Sequence, residues 1–305
     1  MTTLLVGRGL LGRQVAARLE EAGDDVRTVD VPWGDHDAAL RALLDAGAAA
    51  AEASPAWRLV WSAGAGVIAT APAELTAEVR LFAALLRGLT APPASMFLAS
   101  SAGGVYAGSP DAPPYTERSE VAALAPYGVA KLEMEQLARE LAGRGTRVLV
   151  GRIANLYGPG QDLTKPQGLI SQLCLAQQTG STLNLYVSLD TLRDYLYVTD
   201  AAAMVVTALD LLDAEEPGAV VVKILASGRA HSIAAVVAEV ARVFRRRPRL
   251  STRAGGGGQV RDLRLRSVVW PQVDALARTP LPAGLGATEA DISAQLRAGD
   301  LVAAC

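Results

Sequence analysis

The stretch Leu4-Leu5-Val6-Gly7-Arg8-Gly9-Leu10-Leu11-Gly12 decides how the chain folds. Three apolar residues that suit a buried strand run into a glycine turn, and an Ala-rich helical stretch follows as far as Gly23. Glycines at this spacing permit a tight turn, backbone approach to a pyrophosphate and close packing of helix on strand. The helix N-terminus favours the negative charge. A second strand, Val26 to Val29, ends in Asp30, eighteen positions past Gly12, where a carboxylate can accept a hydrogen bond from a ribose 2′-hydroxyl. The pattern is the first half of a dinucleotide-binding unit. Asp30 repels a 2′-phosphate and favours NAD, whereas Arg8 and Arg27 are placed to attract one, so NADP stays open.

Working outward, Leu59 to Ser62, Met96 to Ala99 and Val148 to Ile153 read as further strands, separated by helices rich in Ala, Leu, Glu and Arg. Strands alternating with helices predict an α/β, Rossmann-type, doubly wound parallel sheet. After Gly158-Pro159-Gly160 the character changes to loop, a helix from Gly168 to Gln178, short strands and a carboxy-terminal part rich in Gly and Arg. There is no internal repeat.

Tyr127-Gly-Val-Ala-Lys131 carries the chemistry. Pro126 suits a first helical turn, and the spacing then puts Tyr127 and Lys131 on one face. A phenol ordinarily titrates near ~10, too high for proton transfer at neutral pH, and an adjacent ammonium favours its ionised form. The pair is a proton-transfer device, or else an exposed helix that carries both residues without using them.

The chain has 305 residues, half of them hydrophobic, and a formal charge of −2. That suffices for a sizeable core in one bilobed unit or two joined domains, and suggests no nucleic acid and no anionic membrane surface. The basic cluster Arg245-Arg246-Arg247-Pro248-Arg249 reads as a helix end that complements the dipole. Cys174 and Cys305 make no disulfide framework, and neither stands at a metal-ligand spacing with His36 or His231. A reducing compartment, no metal, no leader segment and no membrane span are expected, hence a cytoplasmic protein. Gly255 to Gly258 reads as a plain surface connection, and His231, ahead of the probable helix cap Ser232, as a loop residue.

In order and spacing these marks resemble the extended short-chain dehydrogenase/reductases, the NAD-dependent epimerase/dehydratases, most of which act on nucleotide-sugars. The resemblance rests on the glycine turn, on Met96 to Ala99 running into Ser100-Ser101-Ala-Gly-Gly-Val105-Tyr106, and on Tyr127/Lys131. It continues through Arg152-Ile-Ala-Asn155-Leu-Tyr157-Gly-Pro-Gly160 and Arg193-Asp194-Tyr195-Leu-Tyr-Val198-Thr-Asp200. It implies a dinucleotide-binding domain over 1–157, with 199–214 returning to it. The rest, 158–198 and 215–305, would form a smaller α/β substrate-binding lobe, and the protein a homodimer. Tyr127 would act as acid/base at the sugar oxygen, Lys131 would hold the nicotinamide ribose, and Ala63 and Gly64 would join Gly7 to Gly12 as cofactor contacts. Asn155 and Arg193 match the diphosphate ligands of the family. Arg261 stands near its carboxy-terminal arginine, where Arg253 and Arg264 compete, and Tyr186 is either a base-pocket or a core aromatic. For Arg193 the plain alternative is a salt bridge to Asp194.

The sequence departs from the family where a catalytic Ser or Thr is usual four residues before Tyr106, because Ala102 stands there. Ser101 is the nearest hydroxyl, on a loop that Gly103 and Gly104 would loosen. The acidic pair of the 4,6-dehydratases is absent, and so is the Cys of the fucose synthases, whose place Gly104 takes. The resemblance therefore implies hydride transfer at one carbinol carbon, by a sugar-nucleotide 4-epimerase or a nucleotide-linked keto-sugar reductase. A cofactor-binding regulator without turnover is the other class.

Overall fold

A computed structural model describes residues 1–64, 70–165, 167–252 and 260–298. The Gly255 to Gly258 stretch, Arg253 and Cys305 lie outside the described residues. The amino-terminal half runs β1 (Thr2–Val6), α1 (Leu10–Glu21), β2 (Asp25–Thr28), α2 (His36–Ala53), β3 (Arg58–Trp61), α3 (Pro72–Gly88), β4 (Ser95–Ser101), α4 (Ala102–Val105), α5 (Pro126–Ala142) and β5 (Arg147–Ile153). Then come β6 (Asn155–Tyr157), α6 (Leu169–Thr179), β7 (Leu183–Leu185), β8 (Leu192–Tyr197), α7 (Val198–Asp213) and β9 (Val220–Leu225). The chain closes with β10 (Ala230–Ser232), α8 (Ile233–Phe244), β11 (Leu250–Thr252), β12 (Asp262–Leu263), α9 (Pro271–Asp274) and α10 (Leu281–Ala298).

Six parallel strands form the main sheet in the order β2-β1-β3-β4-β5-β9. Its central strands β1, β3, β4 and β5 are buried because helices cover both faces, whereas the edge strand β2 is charged and partly exposed. Leu4, Leu59, Trp61, Leu98 and Val150 point into one core with Leu43, Phe82 and Met134 of α2, α3 and α5. Leu5, Val60, Phe97 and Leu149 point the other way, against Val15 of α1 and Ala201, Val205 and Leu209 of α7. The doubly wound order usually puts a further strand outside the second one. Here α2 runs from β2 straight across to β3, so β2 is the outermost strand among the described residues.

Helix starts follow local chemistry. Asp35 caps α2 by accepting from the Ala38 amide at 3.0 Å, Ser232 caps α8 by accepting from Ala235 at 3.1 Å, and α3 and α5 open on Pro72 and Pro126. A second sheet, β10-β8-β12 with β6 also paired to β8, packs with α6, α8 and α10 around Tyr157, Tyr195, Leu173 and Leu285.

Three expectations are corrected here. The second strand stops at Thr28, leaving Asp30 two residues beyond it. The return to the first lobe does not end at residue 214, because β9 joins the main sheet beside β5 over Val148↔Val220 to Ile153↔Leu225. The Ala102-Gly103-Gly104 stretch is a one-turn helix, not a loosened loop. Gly104 lies against the Tyr127 ring, and a side chain at Gly128 would collide with the Gly104 carbonyl, so these glycines bring α4 close onto α5.

The basic cluster does end α8, yet its bonds go elsewhere. The Arg246 guanidinium donates to the Gln177 carbonyl and Arg249 donates to the Gly180 carbonyl at 3.1 Å, closing the carboxy end of α6. Cys174 is fully buried, and burial pushes its thiol up to about 12. His231, read from the sequence as a loop residue, lies instead in strand β10 opposite Arg193, and burial lowers its pKa.

Candidate active site

A cleft of about 1220 Å³ opens at the carboxyl ends of the main-sheet strands. It runs from Arg8, Gly9, Leu10 and Leu11 past Ala63 and Gly64 to Ser100, Ser101, Tyr127 and Lys131, and on to Asn155, Tyr186 and Arg193. Residues at the end of the main sheet and residues on the second sheet thus share one cavity.

The glycine turn is built for backbone proximity. Gly7 takes φ +98°, open to glycine, and a side chain there would strike the Ala63 backbone, while one at Gly12 would strike the Gly7 carbonyl. These two glycines lie beneath the cleft wall. Gly9, which faces open space, caps α1 without any side-chain bond, so the first amides of that helix are free to meet an anion. This cradle fits a pyrophosphate.

Asp30 is exposed and does not line the main cleft. Trp33, three residues on, is 53% exposed and stands edge-on to Trp61 with ring centroids 6.4 Å apart. Arg27 donates to Asp25 at 2.9 Å and to the Ala49 carbonyl at 3.0 Å, so its charge is held on its own strand and α2.

Tyr127 and Lys131 share the face of α5 that borders the cleft, with the Lys131 ammonium 5.8 Å from the phenol ring centroid. Lys131 is buried, and its Nζ lies 3.4 Å from Glu78 Oε1 of α3. The two serines differ sharply. Ser100 donates to Glu135 Oε1 at 2.6 Å, in a buried network where Arg152 grips Glu135 at 2.7 and 3.1 Å and Arg152 donates to the Tyr106 hydroxyl at 2.7 Å. Burial opposes the Arg152 charge, the Glu135 bonds outweigh it, and the guanidinium pKa ends above its ordinary value. Ser101 instead caps α4, its oxygen accepting from the Gly104 amide at 3.1 Å. That leaves its proton to donate into the cleft. Ala102 is fully buried.

In the second lobe, Arg193 donates to the carbonyls of Leu192 at 2.8 Å and Val260 at 2.9 Å. The expected alternative, a salt bridge to Asp194, is not formed; Asp194 turns away to accept from the Ser227 amide at 2.8 Å. A guanidinium has five N–H donors, so two carbonyls leave Arg193 donors for a phosphate. Asn155 donates to the Asp194 carbonyl at 2.9 Å and lines the cleft beside it. Tyr186 lies just past β7 rather than within a strand, and at 53% exposure it is a cleft-wall residue, not a core aromatic. Arg261 is outside the main cleft, 77% exposed and 3.8 Å from Asp190, and Arg264 is taken by Asp262 at 3.0 Å.

Glu78 escaped the sequence reading. It belongs to no motif and meets Lys131 only through the packing of α3 on α5. Arg13, which donates from α1 to the Gly160 carbonyl and ties the glycine-turn helix to the second lobe, was missed for the same reason.

A parallel sheet with a glycine cradle and a Tyr/Lys pair at its carboxyl edge defines a nucleotide-cofactor enzyme fold of the short-chain dehydrogenase/reductase type. The model of the NAD dependent epimerase/dehydratase family matches residues 4–222, and the chain belongs to that family. Among solved structures, UDP-glucose 4-epimerase from Stenotrophomonas maltophila, with bound NAD and formylated UDP-arabinopyranose, superposes with a TM-score of 0.82 at 21% identity. That match covers 98% of this chain and 99% of the other. Among curated proteins, dTDP-L-rhamnose 4-epimerase of Burkholderia thailandensis is 32% identical over 124 residues, 40% of this chain and 33% of that protein. The dTDP-4-dehydro-6-deoxyglucose reductase of Escherichia coli is 29% identical over 119 residues, 38% of this chain and 36% of that protein. The matched part is about a third of the length of these curated relatives.

Proposed function

We propose that the protein is an NAD-dependent sugar-nucleotide 4-epimerase. The observation that carries this is the single cleft in which Tyr127 and Lys131 stand between the glycine cradle and the pair Asn155 and Arg193. Bound in this cleft, NAD would supply reversible hydride transfer at one sugar carbon. Arg193 and Asn155 hold the diphosphate and so fix the sugar over Tyr127. Tyr127 takes the proton of the sugar hydroxyl and later restores it to the keto oxygen, and the Lys131 ammonium, 5.8 Å from the phenol ring centroid, places positive charge beside that exchange. Ser101 donates to the reacting oxygen, a role Ser100 does not take because its proton is committed to Glu135.

As proposed diphosphate ligands, Arg193 and Asn155 would read no particular base, so UDP- and dTDP-hexoses are the substrates to offer. Incubating the purified protein with each and following the C4 configuration by NMR tests the reading. Appearance of the 4-epimer without net change in cofactor absorbance supports it. Stoichiometric consumption of NAD(P)H with a 4-keto sugar, and no epimer, would replace it with the ketoreductase, which the likeness to the Escherichia coli reductase favours. A cytoplasmic homodimer accompanies the proposal, and light scattering of the purified chain tests the dimer.

A further inference from the structure

Arg13 stands where helix chemistry argues against a cation. It is the fourth residue of α1, whose first turn carries no acidic side chain, and Arg8 adds a second guanidinium in the glycine turn. Positive charge near a helix N-terminus opposes the dipole, so stability does not account for the pair. Long side chains on a helix lean back towards its N-terminus, which directs Arg13 towards the cradle at the start of α1. Arg8, Gly9, Leu10 and Arg13 all line the cleft.

The guanidinium also reaches the opposite wall, where one nitrogen, Nη2, donates to the Gly160 carbonyl. Gly160 is held from two sides. Its amide donates to Asp291 Oδ2 of α10 at 2.9 Å, and the same oxygen accepts from Gln295 Nε2 at 2.8 Å. At φ +85° the position suits glycine, and a Cβ there would stand 3.2 Å from Arg13 Nη2. Gly160, Gln161 and Gln295 line the cleft, and Asn155 opens β6 just before Gly160 in the chain. Arg13 thus joins the cradle of α1 to the wall that carries Asn155.

A guanidinium has five N–H donors, and beyond the bond to Gly160 those of Arg13 form no hydrogen bond or ion pair among the described residues. A fork of this shape suits phosphate oxygens. We propose that Arg13 couples the two ends of the cleft: its open donors bind the cofactor's pyrophosphate, and the side chain, steadied there, fixes Gly160 and the wall behind it. A bound dinucleotide thereby raises the affinity for the diphosphate of the sugar-nucleotide. Arg13 is a positioning residue for the substrate, acting through Gly160. The inference rests on the function proposed above and adds to it a linkage between its two ligands, which thermodynamics makes reciprocal.

Calorimetric titration of the cofactor-free parent and of Arg13→Ala tests the coupling, with NAD alone and with UDP and dTDP in the absence and presence of saturating NAD. In the parent, NAD should tighten nucleoside diphosphate binding by about 5-fold or more, and the diphosphate should tighten NAD by the same factor. Arg13→Ala should weaken NAD about 10- to 10²-fold, as expected for losing hydrogen bonds to a charged group. It should change diphosphate affinity without NAD less than about 3-fold and abolish the tightening even at saturating NAD. An unchanged NAD affinity, a variant that keeps the tightening, or an equal loss of diphosphate affinity with and without NAD would each overturn the proposal, the last by showing that Arg13 merely supports the wall. Should Arg13→Ala not fold, the parent decides alone: diphosphate affinity that ignores NAD overturns the coupling. A parent that binds neither NAD nor a diphosphate would overturn the reading of the cleft as well, whereas binding of both without mutual effect removes the coupling alone.

Discussion

Asp194 offers a measurable consequence of burial. It stands in β8 next to Arg193, is 1% exposed, and spends Oδ1 on the Ser227 amide, while Oδ2 has no partner among the described residues. Burial is the dominant influence and pushes the carboxyl up to about 6 from 3.8, against the lowering effect of amides in the 227–229 turn. The folded protein therefore holds a proton that the unfolded chain has lost between these two values. Stability from this group is present below about pH 4 and falls away as the pH rises through 6. With the two values about two pH units apart and each unit equivalent to 1.36 kcal/mol, the loss is about 3 kcal/mol. Asp194→Asn is isosteric with the protonated acid, retains the acceptor for Ser227 and does not titrate. Urea unfolding of parent and variant at pH 4, 5, 6 and 7.5 should find them within about 1 kcal/mol at pH 4 and the variant more stable by about 3 kcal/mol at pH 7.5. A stability difference that is flat across this range would refute the reasoning.

Other outcomes follow from the cleft. Tyr127→Phe should lower turnover by about 10²-fold or more with NAD affinity nearly unchanged, as steady-state rates and calorimetry would show; turnover within a few-fold of the parent would remove Tyr127 from the acid/base role. Ser101→Ala should slow single-turnover hydride transfer by roughly 10- to 10³-fold at little cost in stability. Ser100→Ala should do the reverse, costing about 1–3 kcal/mol in urea unfolding because Glu135 loses a buried donor, with a mild effect on rate. NAD should bind more tightly than NADP, and Asp30→Ala should narrow the gap; tighter parental binding of NADP would transfer the role to Arg8.

What could be read from the sequence was local. The first glycine turn and all five expected main-sheet strands are short-range patterns, and each strand lies within about two residues of its expected bounds because alternation of strand and helix is set by neighbours in the chain. The end of β2 was less legible, since Val29 is apolar and packs against the core although it stands outside the strand. Glycine was misread at Gly103 and Gly104: its freedom suggested a loose loop, whereas both lie in a one-turn helix and at Gly104 the lack of a side chain lets α4 approach α5. Contacts made across the fold left no local trace. Glu78 and Lys131 lie 53 residues apart, Arg13 and Gly160 are 147 apart, and the Val260 carbonyl that holds Arg193 is 67 away. The placement of β9 was hidden likewise, because Val220 to Leu225, apolar apart from Lys223, is a run that either sheet could have accepted.

Among the described residues the sheet ends at β2, and that leaves one row of backbone amides and carbonyls without a neighbouring strand there. Such an edge is a template for another extended chain, and an unguarded one invites aggregation. This edge is only four residues long, and its outward character is charged. Arg27 leans back to Asp25 and to the carbonyl of Ala49, drawing a salt bridge and a helix across the exposed rim. With no outer strand among the described residues, the route from β2 to β3 is short, and the charged pair of Arg27 and Asp25 disfavours the pairing of another chain along this edge.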